Sequence, residues 1–334
     1  MAVARELRAR GAAVEFIGAG RAEAELVPAE HLPLHSISAT GLSRSDPREA
    51  LRGALLAARA TRASRRILRG IDPDAVLGAG GYVAGPVGVA ALSLRIPLVL
   101  MEADGHLGLT NRLLAPFARR VCLPFALAGH AHGRYVVTGR PVEPPFTDRP
   151  AARAEFAIPA GATCVLVFGG SLGARSINLA ALEAFRDCEL HVLHVCGGRD
   201  YAELRERPLR AGYDLREYLP RERFARALAA ADIVVARSGG SVFELAANGL
   251  PAVLVPYPHA TGDHQSENAA RFAAAGAAVV IDDGELNAAR LRDTVDGLVG
   301  DPARLRAMAA ASRALARPEA AADVAAEVLK AAGR

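Results

Sequence analysis

Short apolar runs followed by glycine or polar residues recur along the chain. Eight of them have the length of buried strands: 13–18, 75–77, 98–102, 135–138, 164–168, 191–196, 233–236 and 252–256. Most of the runs are apolar throughout, and helix-length stretches separate them. This pattern is typical of parallel strands that helices cover on both faces. The sequence therefore predicts an α/β protein built from doubly wound parallel sheets.

A proline-rich break interrupts this pattern near the middle of the chain. Pro141, Pro144 and Pro145 stand within five positions, and proline disfavours both helix and strand. A chain of 334 residues also exceeds the usual size of one hydrophobic core. We therefore predict two Rossmann-like domains that face each other across a cleft. The predicted boundaries are an N-terminal domain over 1–142, a linker over 143–160, a C-terminal domain over 161–316, and a last helix over 317–334 that packs back on the first domain.

The overall composition excludes several classes of protein. Hydrophobic residues make up 51% of the chain and charged residues 23%, as in globular proteins, and no apolar run is long enough to span a bilayer. The first residues predict an amphipathic helix rather than a signal peptide, so we expect a cytoplasmic protein. The four cysteines show no CxxC spacing, which predicts neither zinc nor disulfides. We interpret them as small hydrophobic residues.

The net charge of +4 is modest, but arginines cluster in one segment. Arg48 to Arg69 contains seven arginines and one carboxylate, Glu49, interleaved with leucine and isoleucine. The segment predicts a basic amphipathic helix. Such a helix fits attachment to an anionic membrane surface, and it equally fits a solvated face above an ordinary buried stripe. Nucleic acid fits less well, because the segment has no aromatic residue on which a base stacks.

Loops after parallel strands are where ligands bind in such sheets. Residues 169–178 form a glycine turn that opens a helix, which suits a diphosphate, although a purely structural turn has the same pattern. In residues 237–244, Ser241 suits phosphate and Glu244 suits the two hydroxyls of a ribose. Glu244 also fits a first-turn acid that complements the helix dipole.

Three further loops carry polar side chains. Residues 256–269 suit the hydroxyls of a sugar, and the spacing of their acidic and histidine residues matches no metal motif. In the first half, residues 80–86 and 101–112 each follow an apolar run. Glu102 and Asp104 are candidate bases for an acceptor hydroxyl, and His106 is a second titratable candidate. Each of the three also fits a helix cap or a turn.

Six ordered segments together resemble the MurG-type transferases of glycosyltransferase family 28, namely 74–86, 102–111, 138–142, 169–178, 237–244 and 263–269. The resemblance covers nearly the whole chain. It implies the GT-B fold and transfer of N-acetylglucosamine from UDP-N-acetylglucosamine to the polyprenyl-linked muramyl-pentapeptide of peptidoglycan synthesis. It also implies inversion, no metal, no cofactor, and a peripheral seat on the cytoplasmic face of the cell membrane. The membrane interpretation of the Arg48 to Arg69 helix is then favoured.

The same resemblance implies site residues. On the donor side they are Gly170 and Ser171 for the diphosphate, Leu219 for uracil through its backbone, Ser241 for phosphate, Glu244 for ribose, and His264, Gln265 and Asn268 for the sugar. Arg237 and the helix N-termini are expected to offset the charge of the leaving group. On the acceptor side they are Gly81, Tyr82, Asp104 and Asn111, with Glu102 as the candidate base.

The chain departs from the family pattern at its start. The family's first strand and histidine-containing glycine loop are missing before residues 2–4, so we expect unpaired sheet edges or a gap in the first core. Two hypotheses follow: an active transferase whose start was assigned too late, or a defective copy that binds UDP-sugar without turnover. A related glycolipid transferase and a UDP-sugar epimerase are the alternative enzymes.

Three smaller departures concern one short run, one position and the length of one turn. Residues 102–106 replace the family's Glu-Gln-Asn run, although Glu102 itself is kept. Glu143 stands where many members have arginine, and the turn after Arg237 is one residue shorter than in some members. These differences affect the acceptor side and the phosphate contacts.

Overall fold

The computed structural model describes residues 1–20, 23–38, 47–130 and 133–333, without the side chains of 47–52, 54 and 261. The side chains of Arg48 and Arg52 in the predicted basic helix therefore lie outside the described part. The chain divides into two compact units, one formed by Met1–Val142 with Arg317–Arg334 and the other by Glu143–Ala316. Among the described residues, no helix is both long and apolar enough to cross a bilayer.

The first unit contains α1 (Ala2–Ala9), β1 (Phe16–Gly18), α2 (Glu23–Ala29), β2 (Leu34–Ser36), α3 (Pro47–Ile71), β3 (Val76–Gly78), α4 (Gly81–Ser93), β4 (Leu98–Met101), α5 (Leu109–Leu114), a 3-10 turn (Ala115–Phe117), β5 (Arg120–Leu123) and β6 (Tyr135–Val137). The second unit opens with α6 (Arg149–Glu155), β7 (Cys164–Phe168), α7 (Arg175–Ala184), β8 (His191–Val195), α8 (Gly198–Leu204), β9 (Tyr213–Arg216), α9 (Arg221–Ala230) and β10 (Ile233–Ala236). It continues with α10 (Val242–Asn248), β11 (Ala252–Leu254), a 3-10 turn (Thr261–Asp263), α11 (His264–Ala274), β12 (Ala278–Val280), a 3-10 turn (Asp283–Glu285), α12 (Ala288–Val299) and α13 (Pro302–Ala314). The last helix, α14 (Ala320–Ala331), belongs to the first unit.

Two separate parallel sheets form the first unit. Strands β3-β4-β5-β6 make one sheet and β1-β2 make the other. Both sheets contribute to one core: Ile17 of β1 packs with the cluster that holds Val76 of β3. In the described residues, β1 and β3 each pair on one side only. The core is thus continuous while the hydrogen-bonded sheet is interrupted, so the expected unpaired edges are present.

The C-terminal helix α14 completes one of these cores. Its buried face, with Val324 and Ala325, packs in one cluster with Val3 of α1 and Val99 of β4. Glu327 adds an ion pair with Arg120 of β5, at 3.0 Å between Nε and Oε2. The end of the chain therefore contributes to the fold of the first unit.

A six-stranded parallel sheet forms the second unit, in the order β12-β11-β10-β7-β8-β9. Side chains that alternate along β7 enter opposite cores. Leu166 packs with Leu228 of α9, while Val167 packs with Ile177 of α7. Helices thus cover both faces of a parallel sheet, which confirms the predicted doubly wound α/β class.

All eight predicted strands are present, but β2, β5, β9 and β12 were not predicted. Strand β9 reads Tyr-Asp-Leu-Arg and lacks an apolar run, and β12 lies within an alanine-rich stretch. The predicted linker over 143–160 also differs, because it lies in the second unit and contains α6. Arg149 and Arg153 of α6 both bond the carboxylate of Asp232, at 2.6 and 3.2 Å, and this contact attaches the helix to the sheet.

The cysteines behave as small core residues. Cys122, Cys164 and Cys196 are buried, and the chain's cysteines are free. Burial raises the pKa of the Cys164 thiol to about 12 and that of the Cys196 thiol to about 11, so both remain protonated thiols at neutral pH. They accordingly pack as small, uncharged side chains.

A chain of buried polar side chains runs beneath the sheet's carboxyl edge in the second unit. Asn178 donates to the carbonyl of Cys196 (2.9 Å) and to Asp200 (2.8 Å), so its oxygen is left to accept from Nε2–H of His194 (3.0 Å). Nδ1 of His194 then accepts from the hydroxyl of Tyr213 (2.8 Å). Burial lowers the pKa of His194 to about 3, so the imidazole is neutral in the folded protein.

This burial makes stability depend on pH. Since the pKa of His194 is about 6.5 unfolded and about 3 folded, only the unfolded state takes up the proton between these values. Stability contributed by His194 is complete above about pH 6.5 and falls by ~1.4 kcal/mol per pH unit below it. The free energy of unfolding, measured by hydrogen exchange at the amides of β7 and β8, should therefore fall between pH ~7 and ~5. The fall should be about 2 kcal/mol larger in the wild type than in His194→Gln. An equal fall in the free energy of unfolding in the two proteins would contradict the assignment of this pH dependence to His194.

Candidate functional site

The topology of the second sheet selects one edge of it for ligand binding. From β7 the chain proceeds to β8 and β9 on one side, and then to β10, β11 and β12 on the other. The connections that leave β7 and β10 therefore diverge, and they open a crevice at the carboxyl ends of these neighbouring strands. In open α/β sheets, ligands bind at such a switch point. The predicted donor residues follow β7, β9, β10 and β11, and thus lie along this edge.

The glycine loop after β7 is shaped by close backbone contacts. Gly173 has a φ of +78°, and a Cβ on it would lie 1.9 Å from the carbonyl oxygen of Cys196. A Cβ on Gly169 would lie 2.3 Å from the amide nitrogen of Ala174. Only glycine fits at these two positions. Gly170 and Ser171 are exposed on the outside of the turn, where a ligand can approach the backbone.

The same loop opens helix α7. Ala174 is the N-cap residue, and its side chain offers no hydrogen bond to the first-turn amides. The helix spans ten residues, so its amino end carries a full set of N–H donors and the positive end of the dipole. Such an end next to a glycine turn is suited to a phosphate or diphosphate group.

The turn after β10 supplies Ser241 and Glu244. Ser241 is the N-cap of α10, and Glu244 lies in the first turn of that helix, partly exposed. The turn is held from below: Ser238 donates to the carbonyl of Gln265 (2.7 Å) and accepts, through its own carbonyl, from Asn268 (3.0 Å). These two bonds attach the turn that carries Ser241 and Glu244 to α11.

The three predicted sugar-binding residues differ in their surroundings. His264 and Gln265 begin α11, and Oε1 of Gln265 accepts from the backbone N–H of Tyr257 at 3.0 Å. Asn268 is buried and bonds Ser238, so it supports the β10 turn instead of facing outward. Direct sugar contact therefore remains a prediction for His264 and Gln265, and Asn268 is placed as a structural support.

Leu219 follows β9 at the same edge of the sheet. Its side chain is buried in the core below, while the neighbouring Tyr218 is 61% exposed. The side chain is therefore used for packing, which leaves the backbone as the part of Leu219 that a base can contact. That uracil contact remains a prediction.

Arg237 differs most from its predicted role. It is only 8% exposed, and its guanidinium donates to Asp283 (2.6 Å), to Ser176 (2.9 Å) and to the carbonyls of Val255 (3.2 Å) and Pro256 (3.1 Å). Its positive charge is thus paired with a carboxylate of this chain. That Arg237 offsets the charge of the leaving group stays a prediction, and this pairing does not favour it.

Glu102 in the first unit is likewise engaged on both carboxylate oxygens. One oxygen accepts from the amides of Ala103 (2.8 Å) and Asp104 (3.3 Å), and the other accepts from Gly108 (2.8 Å) and from the side chain of Asn111 (2.9 Å). It is 5% exposed. These bonds fold the loop between β4 and α5. The geometry therefore favours a loop-organising role for Glu102 over that of a general base.

The other acceptor-side candidates gather around this loop. Gly81 begins α4 with a φ of +75°, and its carbonyl accepts from Thr110 (3.0 Å). Asn111 also donates to the carbonyl of Met101 (3.1 Å). Asp104 lies 3.8 Å from Arg140, which donates to the carbonyl of Ala103 at 3.0 Å. Gly81, Asp104 and Asn111 thus lie around one loop, and Tyr82 follows Gly81 in α4.

Four residues that organise these loops were not predicted from the sequence: Ser176, Asp283, Ser238 and Arg140. Ser176 lies in segment 169–178 and Ser238 in segment 237–244, but the predictions for these segments rested on other residues. Asp283 follows a strand that was not predicted, so nothing in the pattern placed it near the site.

Comparisons with known proteins agree with this architecture. The glycosyltransferase family 28 N-terminal domain matches residues 1–123, and the family 28 C-terminal domain matches residues 164–326. The transferase of Desulforudis audaxviator named "UDP-N-acetylglucosamine--N-acetylmuramyl-(pentapeptide) pyrophosphoryl-undecaprenol N-acetylglucosamine transferase" is 41% identical over 324 residues, 91% of this chain and 86% of that protein. The protein of the same name from Pseudomonas entomophila is 40% identical over 97% of this chain and 91% of its own length.

Solved structures show the same relationship. The crystal structure of MurG from Acinetobacter baumannii matches with a TM-score of 0.75 and 28% identity, covering 98% of this chain and 94% of that one. The calicheamicin glycosyltransferase CalG4 matches with a TM-score of 0.69 and 20% identity over 100% of this chain and 94% of its own, which shows a common fold. With 40% identity to curated relatives over nearly its whole length and both family 28 domains matched, the chain belongs to glycosyltransferase family 28, in its MurG branch.

Proposed function

We propose that this chain transfers N-acetylglucosamine from UDP-N-acetylglucosamine to a polyprenyl-linked N-acetylmuramyl-pentapeptide, the step from lipid I to lipid II in peptidoglycan synthesis. Its relatives carry this activity in their names. The observation that carries the donor half of the proposal is the glycine turn at the switch point, which opens the uncapped end of α7 beside the β10 turn. A nucleoside diphosphate sugar has a matching sequence of groups, with anionic diphosphate, ribose and sugar.

The diphosphate is assigned to the loop at Gly170 and Ser171. In this proposal the backbone amides there, together with the N-terminus of α7, stabilise the negative charge that develops when UDP leaves. Because Arg237 is paired with Asp283, these amides and the helix dipole are the groups that offset this charge. The carboxylate of Glu244 accepts hydrogen bonds from the ribose hydroxyls, and His264 and Gln265 contact the sugar.

The acceptor is assigned to the first unit. The acceptor hydroxyl attacks the anomeric carbon opposite to the departing UDP, which inverts the configuration there, and its proton passes to a base. Glu102 would have to give up one of its four hydrogen bonds to take this proton. Asp104, beside it and more exposed, lies 3.8 Å from Arg140. Asp104 is the stronger of the two candidates.

A transfer assay tests the proposal. The chain is mixed with radiolabelled UDP-N-acetylglucosamine and a synthetic lipid-linked muramyl-pentapeptide, and the disaccharide lipid and UDP are both measured. Equal amounts of the two products support the transfer. Binding of the donor without turnover indicates a chain limited to UDP-sugar binding, and conversion of the donor to an epimer contradicts the assigned reaction.

The same proposal includes a peripheral position on the cytoplasmic face of the cell membrane, through α3. Ala60, Ser64 and Leu68 are spaced four residues apart and bury one face of this helix. The opposite face exposes Leu55, at 59%, together with Arg59, Arg62, Arg66 and Arg69. An exposed face with arginines around a leucine fits an anionic lipid surface.

Removing the Glu244 carboxylate should weaken donor binding. Since hydrogen bonds to a charged group contribute about 1.5–3 kcal/mol, Glu244→Ala should raise the Kd for UDP-N-acetylglucosamine by roughly 10- to 150-fold in calorimetry. An analogue without the 2′ and 3′ hydroxyls should bind the wild type and the variant alike. Glu285→Ala, which removes another exposed acid of the second unit, is the matched control and should leave the Kd unchanged. A Kd for UDP-N-acetylglucosamine that Glu244→Ala leaves unchanged would contradict the ribose assignment.

Neutralising the exposed face of α3 should detach the chain from anionic vesicles. The triple change of Arg59, Arg62 and Arg66 to Gln should lower the partition coefficient about a hundredfold, because each arginine near such a surface contributes ~1 kcal/mol. Cosedimentation with vesicles containing phosphatidylglycerol measures this. The matched control changes Arg199, Arg304 and Arg306, three exposed arginines of the second unit, to Gln. Equal effects of the two triple variants would show a general charge effect and exclude α3 as the attachment site.

A further inference from the structure

Arg237, Ser176 and Asp283 form a closed polar triad in the second unit. The guanidinium of Arg237 donates to Asp283 Oδ1 (2.6 Å) and to the hydroxyl of Ser176 (2.9 Å), and that hydroxyl donates to the same Oδ1 (2.6 Å). Each member therefore contacts the other two. The side chains of Arg237 and Asp283 are only 10% and 23% exposed, so water competes little for these bonds.

The members of the triad come from loops that follow different strands. Ser176 lies in the first turn of α7, directly after the glycine loop. Arg237 immediately follows β10 and precedes the turn that holds Ser241 and Glu244. Asp283 begins the 3-10 turn that follows β12. Arg237 also donates to the carbonyls of Val255 and Pro256 after β11, so one side chain links the ends of four neighbouring strands.

We propose that Arg237 is a positioning residue, which sets the distance between the glycine loop and the β10 turn through Ser176 and Asp283 without itself contacting the diphosphate. This inference rests on the donor site proposed above. A nucleoside diphosphate must contact both loops at once, with its phosphates on one and its ribose on the other. A small change in their separation therefore weakens a ligand that spans them more than a ligand that binds to one of them.

Direct binding of the diphosphate by Arg237 predicts the opposite effect of Asp283→Asn on the affinity for UDP. If Arg237 binds the diphosphate directly and pairs with Asp283 only when no ligand is bound, the carboxylate competes with the ligand for the guanidinium. Asp283→Asn would then release Arg237 and tighten the binding of UDP. If the triad positions the loops, the same change leaves a buried guanidinium without its counter-charge, disturbs both loops and weakens the binding of UDP.

Calorimetry with UDP and with uridine distinguishes these two arrangements. We expect Asp283→Asn to raise the Kd for UDP at least tenfold and the Kd for uridine less than threefold. Ser176→Ala should raise the Kd for UDP about threefold, because it removes one neutral member of the triad. A lower Kd for UDP in Asp283→Asn, or an unchanged one in both variants, would overturn the proposal.

A double variant tests whether Arg237 and Asp283 act together. In the background of Arg237→Met, which has similar length and no charge, Asp283→Asn should cause less than a twofold further rise in the Kd for UDP. Arg237→Lys should recover part of the affinity that Arg237→Met loses. Independent, multiplicative effects of the two changes would show that Arg237 acts on the ligand directly. Asp282→Asn, an exposed neighbouring acid, is the matched control and should leave the Kd unchanged.

Hydrogen exchange without ligand separates this inference from the donor assignment. Asp283→Asn and Ser176→Ala should speed exchange in peptides covering 169–178 and 238–244 together, with no change at β8. This result is expected even if the wild type fails to bind UDP, which would contradict only the donor assignment. Unchanged exchange in both peptides would overturn the triad. In the transfer assay, the Asp283→Asn variant should show a higher KM for the donor and an unchanged KM for the acceptor.

Discussion

The parallel pairing of β7 with β8 on one side and with β10 on the other is the constraint on which the second unit depends. It places the glycine loop and the β10 turn next to each other, while the connections that leave β7 and β10 run in opposite directions across the sheet. The crevice follows from this divergence and requires no special residue. The residues add its chemistry: glycines that allow close approach to the backbone, the uncapped end of α7, and the Glu244 carboxylate in the first turn of α10.

Beneath these loops, buried polar side chains hold the backbone in place. Asn178 and His194 support the glycine loop through the carbonyl of Cys196, while Ser238 and Asn268 fasten the β10 turn to α11. Polar groups buried in this way are costly if they lack partners, so each of these networks favours one loop conformation. Asn268, whose motif position predicts a ligand contact, makes one of these supporting bonds.

The first unit uses the same principle with a different residue. Glu102 takes four hydrogen bonds from its own loop and from Asn111, so this acid organises the backbone between β4 and α5. The sheet of this unit is less complete. Within the described residues, strands β1 and β3 do not pair with each other, and side-chain packing in one shared core joins the two sheets there.

The sequence by itself determined the eight apolar strands, the doubly wound class, the glycine loop and the family, because strand periodicity and glycine turns are local properties that a chain displays without its fold. It could not determine strands β2, β5, β9 and β12, since β9 and β12 lack a distinct apolar run and depend on neighbouring strands for their pairing. The tertiary structure alone decided the hydrogen-bond partners of Arg237 and Glu102. Arg237 meets Asp283 and Ser176 from 46 and 61 residues away, and only the arrangement of parallel strands brings these side chains together. Whether a charged residue faces a ligand or its own counter-charge depends on that long-range packing, which local pattern does not encode.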